Sequence, residues 1–271
     1  MNQLFIHWSP SPVAFTFFHS EIRWYGVMFA FGLLIAYVIT ALIFRREKME
    51  VYLVNFLLIL GMLSVAIFGR LAHVFFYDWA YYSNHMGEIL KPWEGGLASH
   101  GAAFGIIFFF FLFAKFVLKK PFLWLADRIV PAIAFASACV RIGNLFNSEI
   151  VGKKTDLPFG FIFTRVDLFP RHAIQLYEAL VYFILCTVLL YLIYRKNFLL
   201  KQGLLSAIFL FSMFGSRFFL EFLKEDFKGV AEGWWINMGQ ILSVPFIIIG
   251  IWIVIDLSQM KLKDSKSEIH S

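Results

Sequence analysis

Four arginines, Arg70, Arg128, Arg141 and Arg217, fall within or at the ends of long apolar stretches of this 271-residue chain. A charged side chain at membrane depth costs about 3 kcal/mol on insertion scales, so each needs a partner, a water-filled cavity or a ligand. Arg128 adjoins Asp127 and reads as a local ion pair at a helix mouth. Arg141 and Arg217 differ, because nothing of opposite charge lies one turn back on their own helices. If its helix continues, Arg141 shares a polar face with Asn144 and Ser148 at i, i+3 and i+7. Arg217 and Glu221, at i and i+4, can also satisfy each other. Two arginines converging with asparagines near one membrane face describe a site for a planar anion. Phosphate fits best, since the guanidinium fork matches its oxygens where lysine offers only a point charge. A phospholipid headgroup carries such a phosphate at that depth.

Other polar residues have two readings each. His100, in GGLASHGAAFG, is either an interfacial hydrogen bonder or a group beside a close backbone approach, because Gly101 and Gly105 have small-xxx-small spacing that admits another helix or a lipid. In RHAIQLYE, His172, Gln175 and Glu178 recur at i, i+3 and i+6, and either line the same cavity or cap and pair at a helix start. Tyr25, in RWYG, has by itself the character of an aromatic-belt anchor. Cys139 and Cys186 sit in apolar runs without paired spacing and read as packing residues. The 7 histidines show no HExxH or comparable pattern, so neither a metal nor a Cys-based covalent intermediate is expected.

The elements that must position these groups are membrane helices. The chain is 60% hydrophobic and 20% aromatic, with 35 Phe, and only 15% charged, against about a quarter in soluble domains. Uncharged runs at 24–44, 51–68, 97–114 and 234–255 approach the roughly 20 residues that cross about 30 Å of hydrocarbon. Three further runs have the length but contain ionisable groups: 129–146, 174–194 and 203–223. The expectation is an all-α polytopic protein of seven spans, near 24–44, 51–76, 97–118, 129–146, 174–194, 203–223 and 234–257. They form a single membrane domain, 1–260, followed by a short, polar, disordered tail, 261–271. The alternating pattern of an outer-membrane barrel is absent from the sequence.

Loop charges orient the chain. Arg45, Arg46 and Lys48, then Lys115, Lys119 and Lys120, then Arg195, Lys196 and Lys201, and finally Lys261, Lys263 and Lys266 fall on one side, which is expected to be cytoplasmic together with the C-terminus. The connector 77–96 holds only Lys91 against Asp78, Glu88 and Glu94 and belongs outside with the N-terminus. The long irregular connector 147–173 breaks the rule with Lys153, Lys154, Arg165 and Arg171, which suggests a functional reason for its charge. The net charge of +6 has no basic domain behind it, so the expected partner is membrane lipid and not nucleic acid. MNQLFIHWSP lacks a basic n-region and cleavage site, and the first span is expected to act as its own insertion signal.

Read together, these segments resemble the phosphatidylglycerol:prolipoprotein diacylglyceryl transferases of bacterial inner membranes. That family's signature, Gly-Arg-x-Gly-Asn-Phe-x-Asn-x-Glu-x-x-Gly, is matched here by Arg141, Gly143, Asn144, Asn147, Glu149 and Gly152. WYG at 24–26, GR at 69–70, HG at 100–101, RHxxQLYE at 171–178, RFxxEF at 217–222 and MGQILS at 238–243 extend the likeness over nearly the whole chain. Val140, Leu145, Ala102 and the Ala173–Ile174 pair depart from it, and Ala102 narrows the backbone approach beside His100.

The resemblance implies transfer of the diacylglyceryl group of phosphatidylglycerol to the thiol of a lipobox cysteine in a prolipoprotein signal peptide. A thioether forms and glycerol 1-phosphate leaves, at the outer face of the cytoplasmic membrane. It implies no cofactor, because the lipid is already an activated donor. By the same resemblance Arg141 and Arg217 hold the phosphate, His100 is the candidate base, and Asn144, Glu149 and Gly152 orient the headgroup or shape the loop around it. Tyr25, Arg70, Asn147, His172, Gln175 and Glu221 join the substrate site. The alternatives are a transporter of phospholipid or small anions, whose internal repeats the sequence lacks, and a structural subunit whose charges pair with a partner.

Overall fold

Without water in the hydrocarbon core, apolar segments must close their backbone hydrogen bonds internally, and helices do so. The computed structural model describes residues 5–18, 20–91, 96, 98–195, 201–225 and 236–269. Among them, 7 helices are long and apolar enough to cross a membrane: Trp24–Arg46, Tyr52–Phe76, His100–Leu118, Phe122–Asn147, Ile174–Tyr194, Leu204–Leu223 and Met238–Gln259. The order of elements is β1 (Ile6–Trp8), β2 (Val13–Phe17), β3 (Ser20–Arg23), α1 (Trp24–Arg46), α2 (Tyr52–Phe76), the single turn α3 (Trp79–Tyr82), and α4 (Ser99–Leu112) prolonged by a π turn to Leu118. There follow α5 (Phe122–Asn147), β4 (Phe161–Phe163), β5 (Pro170–Arg171), α6 (Ile174–Tyr194), α7 (Leu204–Leu220) and α8 (Met238–Ile269).

The seven expected spans are present, with two changed boundaries. α5 begins at Phe122 and not near 129, because Asp127 and Arg128 are buried inside it. Arg128 pairs with Glu47 at 3.1 Å, donates to the Trp124 carbonyl at 2.9 Å and lies 3.9 Å over the Trp124 ring, which offsets its charge within the helix. α8 continues to Ile269, where a disordered tail was expected. Residues 234–235, which open the seventh expected span, lie outside the described residues, as do Glu94 and Lys196.

Contacts divide the chain into two compact units, Thr40–Arg128 and the remainder, Met1–Ile39 with Ile129–Ser271. In the first, α2 packs on α4 through the two glycines. A Cβ on Gly101 would stand 2.3 Å from both the Phe68 carbonyl oxygen and the Ala72 Cβ, and one on Gly105 would stand 2.7 Å from the Phe68 side chain. The Phe68 ring then sits among Phe104, Phe108 and Phe109 at 5.6–5.8 Å. Of the two occupants the spacing admitted, the one observed is a helix. Gly101→Ala should therefore destabilise the protein by about 1–3 kcal/mol through overpacking, read as a lower unfolding temperature in detergent. Gly215→Ala, with nothing within 4 Å, is the control and should be neutral or stabilising.

In the second unit α1 meets α5 where Gly32 faces Ala136 and Cys139, and Phe214 of α7 stacks on Phe246 of α8 at 4.2 Å. A three-stranded sheet, β1 parallel to β4 and β4 antiparallel to β5, gathers Leu145, Val151, Phe163 and Ala173 with Trp8 into a small core. The Trp8 indole donates to the Leu145 carbonyl at 2.9 Å, which fixes this core to the end of α5.

Candidate active site

α5 ends at the signature and hands its polar stripe to a strained loop. Ser148 and Ile150 adopt φ of 54° and 58°, a conformation that costs about 1–3 kcal/mol each and is an outlier for a β-branched residue. Their neighbours hold them there. Arg165 donates to Ser148 Oγ at 3.0 Å and to the Phe146 carbonyl, the Glu149 amide donates to the Asn144 carbonyl at 3.0 Å, and the Gln175 amide donates to the Glu149 carbonyl. Between the two strained residues stands Glu149, its carboxylate accepting from Asn144 Nδ2 and Asn147 Nδ2, each at 3.1 Å. Asn144, buried, also accepts from Arg141 Nη1 at 3.4 Å.

The loop beyond is tied to α6 and to the end of α7. Gly152 has no room for a side chain, since an added Cβ would meet the His172 Cβ and carbonyl oxygen at 2.6 Å. Its amide donates to that carbonyl at 3.0 Å, and it bridges to Lys224 across an antiparallel step. Arg171, 4% exposed, donates to Asp167 and Glu225 and, at 3.0 Å, to the Gly152 carbonyl. Donation from Arg171 holds the Asp167 carboxyl below the usual range, and Asp167 in turn raises Arg171. Burial lowers the His172 imidazole, which sits 3.3 Å from the Tyr177 hydroxyl. With Lys154 lying over the Phe169 ring at 3.4 Å, three of the four cations that broke the charge rule have structural partners.

Arg141 Nε is 2.7 Å from the Oε2 of Glu178, which is fully buried, and the other oxygen of Glu178 is 3.0 Å from Lys224 Nζ. The Tyr182 hydroxyl lies within electrostatic range of Glu178, Arg141 and Arg217 alike. Arg217 is not paired with Glu221 as the i, i+4 spacing allowed. Glu221 Oε2 is 2.8 Å from Lys224 Nζ instead, and among the described residues Arg217 has no ion-pair partner. Tyr25 stands on the signature, with a Gly143 Cβ placed 3.1 Å from its Cα and ring.

Ten of the expected site residues, Tyr25, Arg141, Asn144, Asn147, Glu149, Gly152, His172, Gln175, Arg217 and Glu221, thus lie in one unit. Arg70 and His100 belong to the other. Arg70, 4% exposed, donates to the carbonyls of Glu88 at 2.6 Å and Ile89 at 3.2 Å, faces the Tyr82 ring and lies under Gly96, so it fastens the 77–96 connector to α2. His100 is exposed in the first turn of α4. Sequence reasoning missed Lys224 and left Glu178 open between lining the cavity and pairing at a helix start; it pairs, with Arg141 and Lys224. The signal for Lys224 was there, since Arg217, Glu221 and Lys224 recur at i, i+4 and i+7.

A model of the prolipoprotein diacylglyceryl transferase family matches residues 12–256. The chain is 38% identical over 250 residues to the phosphatidylglycerol–prolipoprotein diacylglyceryl transferase of Chloroherpeton thalassium, covering 92% of this chain and 93% of the relative. It is 38% identical over 246 residues to that of Tolumonas auensis, covering 91% and 95%, and 33% identical over 287 residues to that of Chlamydia pneumoniae, covering 97% and 99%.

Proposed function

The chain belongs to the prolipoprotein diacylglyceryl transferase family, and on that premise we propose that it transfers the diacylglyceryl group of phosphatidylglycerol to a prolipoprotein. The acceptor is the thiol of the lipobox cysteine in the precursor's signal peptide. The thiolate sulfur attacks the glycerol carbon bearing the phosphate, a C–S bond forms as the C–O bond breaks, and the electron pair stays on the phosphate oxygen. Glycerol 1-phosphate leaves with one more negative charge than the phosphodiester carried. The protein crosses the membrane with its N-terminus outside and its C-terminus in the cytoplasm, and works at the outer face of the bacterial cytoplasmic membrane.

The observation that carries the phosphate assignment is Arg217, a guanidinium without an ion-pair partner among the described residues that acts on the same Tyr182 as Arg141. A partly buried free cation is stabilised by an anionic ligand, and two guanidiniums match the charge that develops as phosphate departs. Asn147 Oδ1 and Gln175 Oε1, buried without a hydrogen-bond partner among the described residues, provide acceptors for a headgroup hydroxyl. Tyr25, Asn144, Glu149, Gly152, His172 and Glu221 shape or orient the headgroup site, and Arg70 contributes by holding its connector. Purified protein supplied with phosphatidylglycerol vesicles and a lipobox peptide should add the mass of one diacylglyceryl group to the peptide cysteine. Unmodified peptide under those conditions would overturn the assignment.

The thiol must lose its proton, and His100 is the proposed acceptor, since imidazole exchanges protons near neutral pH. His100→Gln should lower turnover by about 10²-fold or more, with the KM for phosphatidylglycerol changing less. A raised KM with kcat retained would show that His100 only binds.

A further inference from the structure

We propose that Lys224 is a positioning residue that keeps Glu221 away from Arg217, so that Arg217 stays available to an anion. This rests on the phosphate reading of Arg141 and Arg217 given above. On α7 the two residues have the spacing at which arginine and glutamate ordinarily pair. Glu221 instead accepts from Lys224 Nζ at 2.8 Å, and the same ammonium lies 3.0 Å from Glu178, whose second oxygen takes Arg141. A lysine suits this post because a compact ammonium with three donors can serve two carboxylates that converge from different helices.

Lys224 is fixed at both ends. Its backbone bridges Gly152, the Lys153 amide donates to the Leu223 carbonyl at 2.7 Å, and the residue is 6% exposed, so its stem cannot swing away. Glu221 is confined from the opposite side. An added Cβ on Gly239, at the start of α8, would stand 2.4 Å from the Glu221 carboxyl carbon, so the carboxylate occupies space that exists because residue 239 lacks a side chain. The order of charges is Arg141, Glu178, Lys224, Glu221, and Arg217, four residues before Glu221 in the chain, takes no part in these pairs. Without the lysine charge, two guanidiniums face two carboxylates. They pair off as Arg141 with Glu178 and Arg217 with Glu221, and the phosphate must then compete for each.

The test uses the full-length protein in mixed micelles of phosphatidylglycerol and a zwitterionic lipid, with a lipobox peptide as acceptor. Lys224→Met should raise the KM for phosphatidylglycerol by about tenfold or more, in proportion to the fraction of molecules in which Arg217 is occupied by Glu221. Inhibition by glycerol 1-phosphate should weaken in parallel, with kcat changing less. Lys224→Arg should stay near wild type, and adding Glu221→Gln to Lys224→Met should recover affinity relative to Lys224→Met alone. A lysine that only stabilised the fold would give no such recovery, and a double variant no better than the single one overturns the proposal. If Lys224→Met does not fold, Gly239→Ala displaces Glu221 with the lysine intact and should raise KM in the same way; an unchanged KM overturns the proposal. A wild-type KM in Lys224→Met, with Arg141→Ala and Arg217→Ala inactive, defeats this inference alone. Activity in both arginine variants defeats the phosphate reading beneath it.

Discussion

Arg141→Ala should lose transfer activity by on the order of 10³-fold or more, beyond the loss from deleting one oxyanion donor, because it removes the proposed phosphate grip together with a partner of buried Glu178. A guanidinium has five N–H donors. In this structure Nε is ion-paired with Glu178 at 2.7 Å and Nη1 donates to Asn144 at 3.4 Å. Alanine removes all of them and leaves Glu178 with Lys224 alone. Arg141→Lys keeps a positive charge beside Glu178 but loses the fork, so it should fold and recover little turnover. Rates on phosphatidylglycerol and lipobox peptide, measured beside circular dichroism of each variant, check both statements. An Arg141→Ala protein with full turnover would remove the phosphate grip from the account.

The second large effect concerns stability. Glu178 is fully buried and takes Arg141 on one oxygen and Lys224 on the other. Removing one partner of a buried ion pair strands the opposite charge, at a cost of about 3–5 kcal/mol. Here one carboxylate compensates two cations from two other segments, so Glu178→Ala should sit at the upper end of that range and lower the unfolding temperature in detergent sharply. Glu178→Gln keeps the shape and part of the hydrogen bonding, and should fall between alanine and wild type. Wild-type unfolding of the alanine variant would mean that the helices hold the cations apart without this carboxylate.

Much of the architecture was legible because the bilayer simplifies the problem. Length and apolarity alone located the seven spans, and Gly101 with Gly105 announced a close helix approach. The errors have one physical origin, which is that charge was read locally. Asp127 and Arg128 read locally as a helix mouth, whereas burial beside Glu47 and Trp124 lets the helix run through them. Arg217 and Glu221 have the spacing of a pair, whereas Lys224, three residues further on, captures the carboxylate. The positive connector 147–173 suggests a functional reason for its charge, and in the structure Arg165 donates to the Phe146 carbonyl at the connector's start and Arg171 to its Gly152 carbonyl and Asp167 carboxylate. Strain at Ser148 and Ile150 could not be foreseen, since neither residue type favours a left-handed backbone and only the surrounding hydrogen bonds impose it.

The central claim is that Arg141 and Arg217 hold one phosphate between them. A structure of the protein with phosphatidylglycerol or glycerol 1-phosphate bound tests it most directly. Both guanidiniums should lie about 2.7–2.9 Å from oxygens of the same phosphorus, with Glu221 still on Lys224. A phosphate touching only one of the two arginines, or seated away from both, would contradict the account.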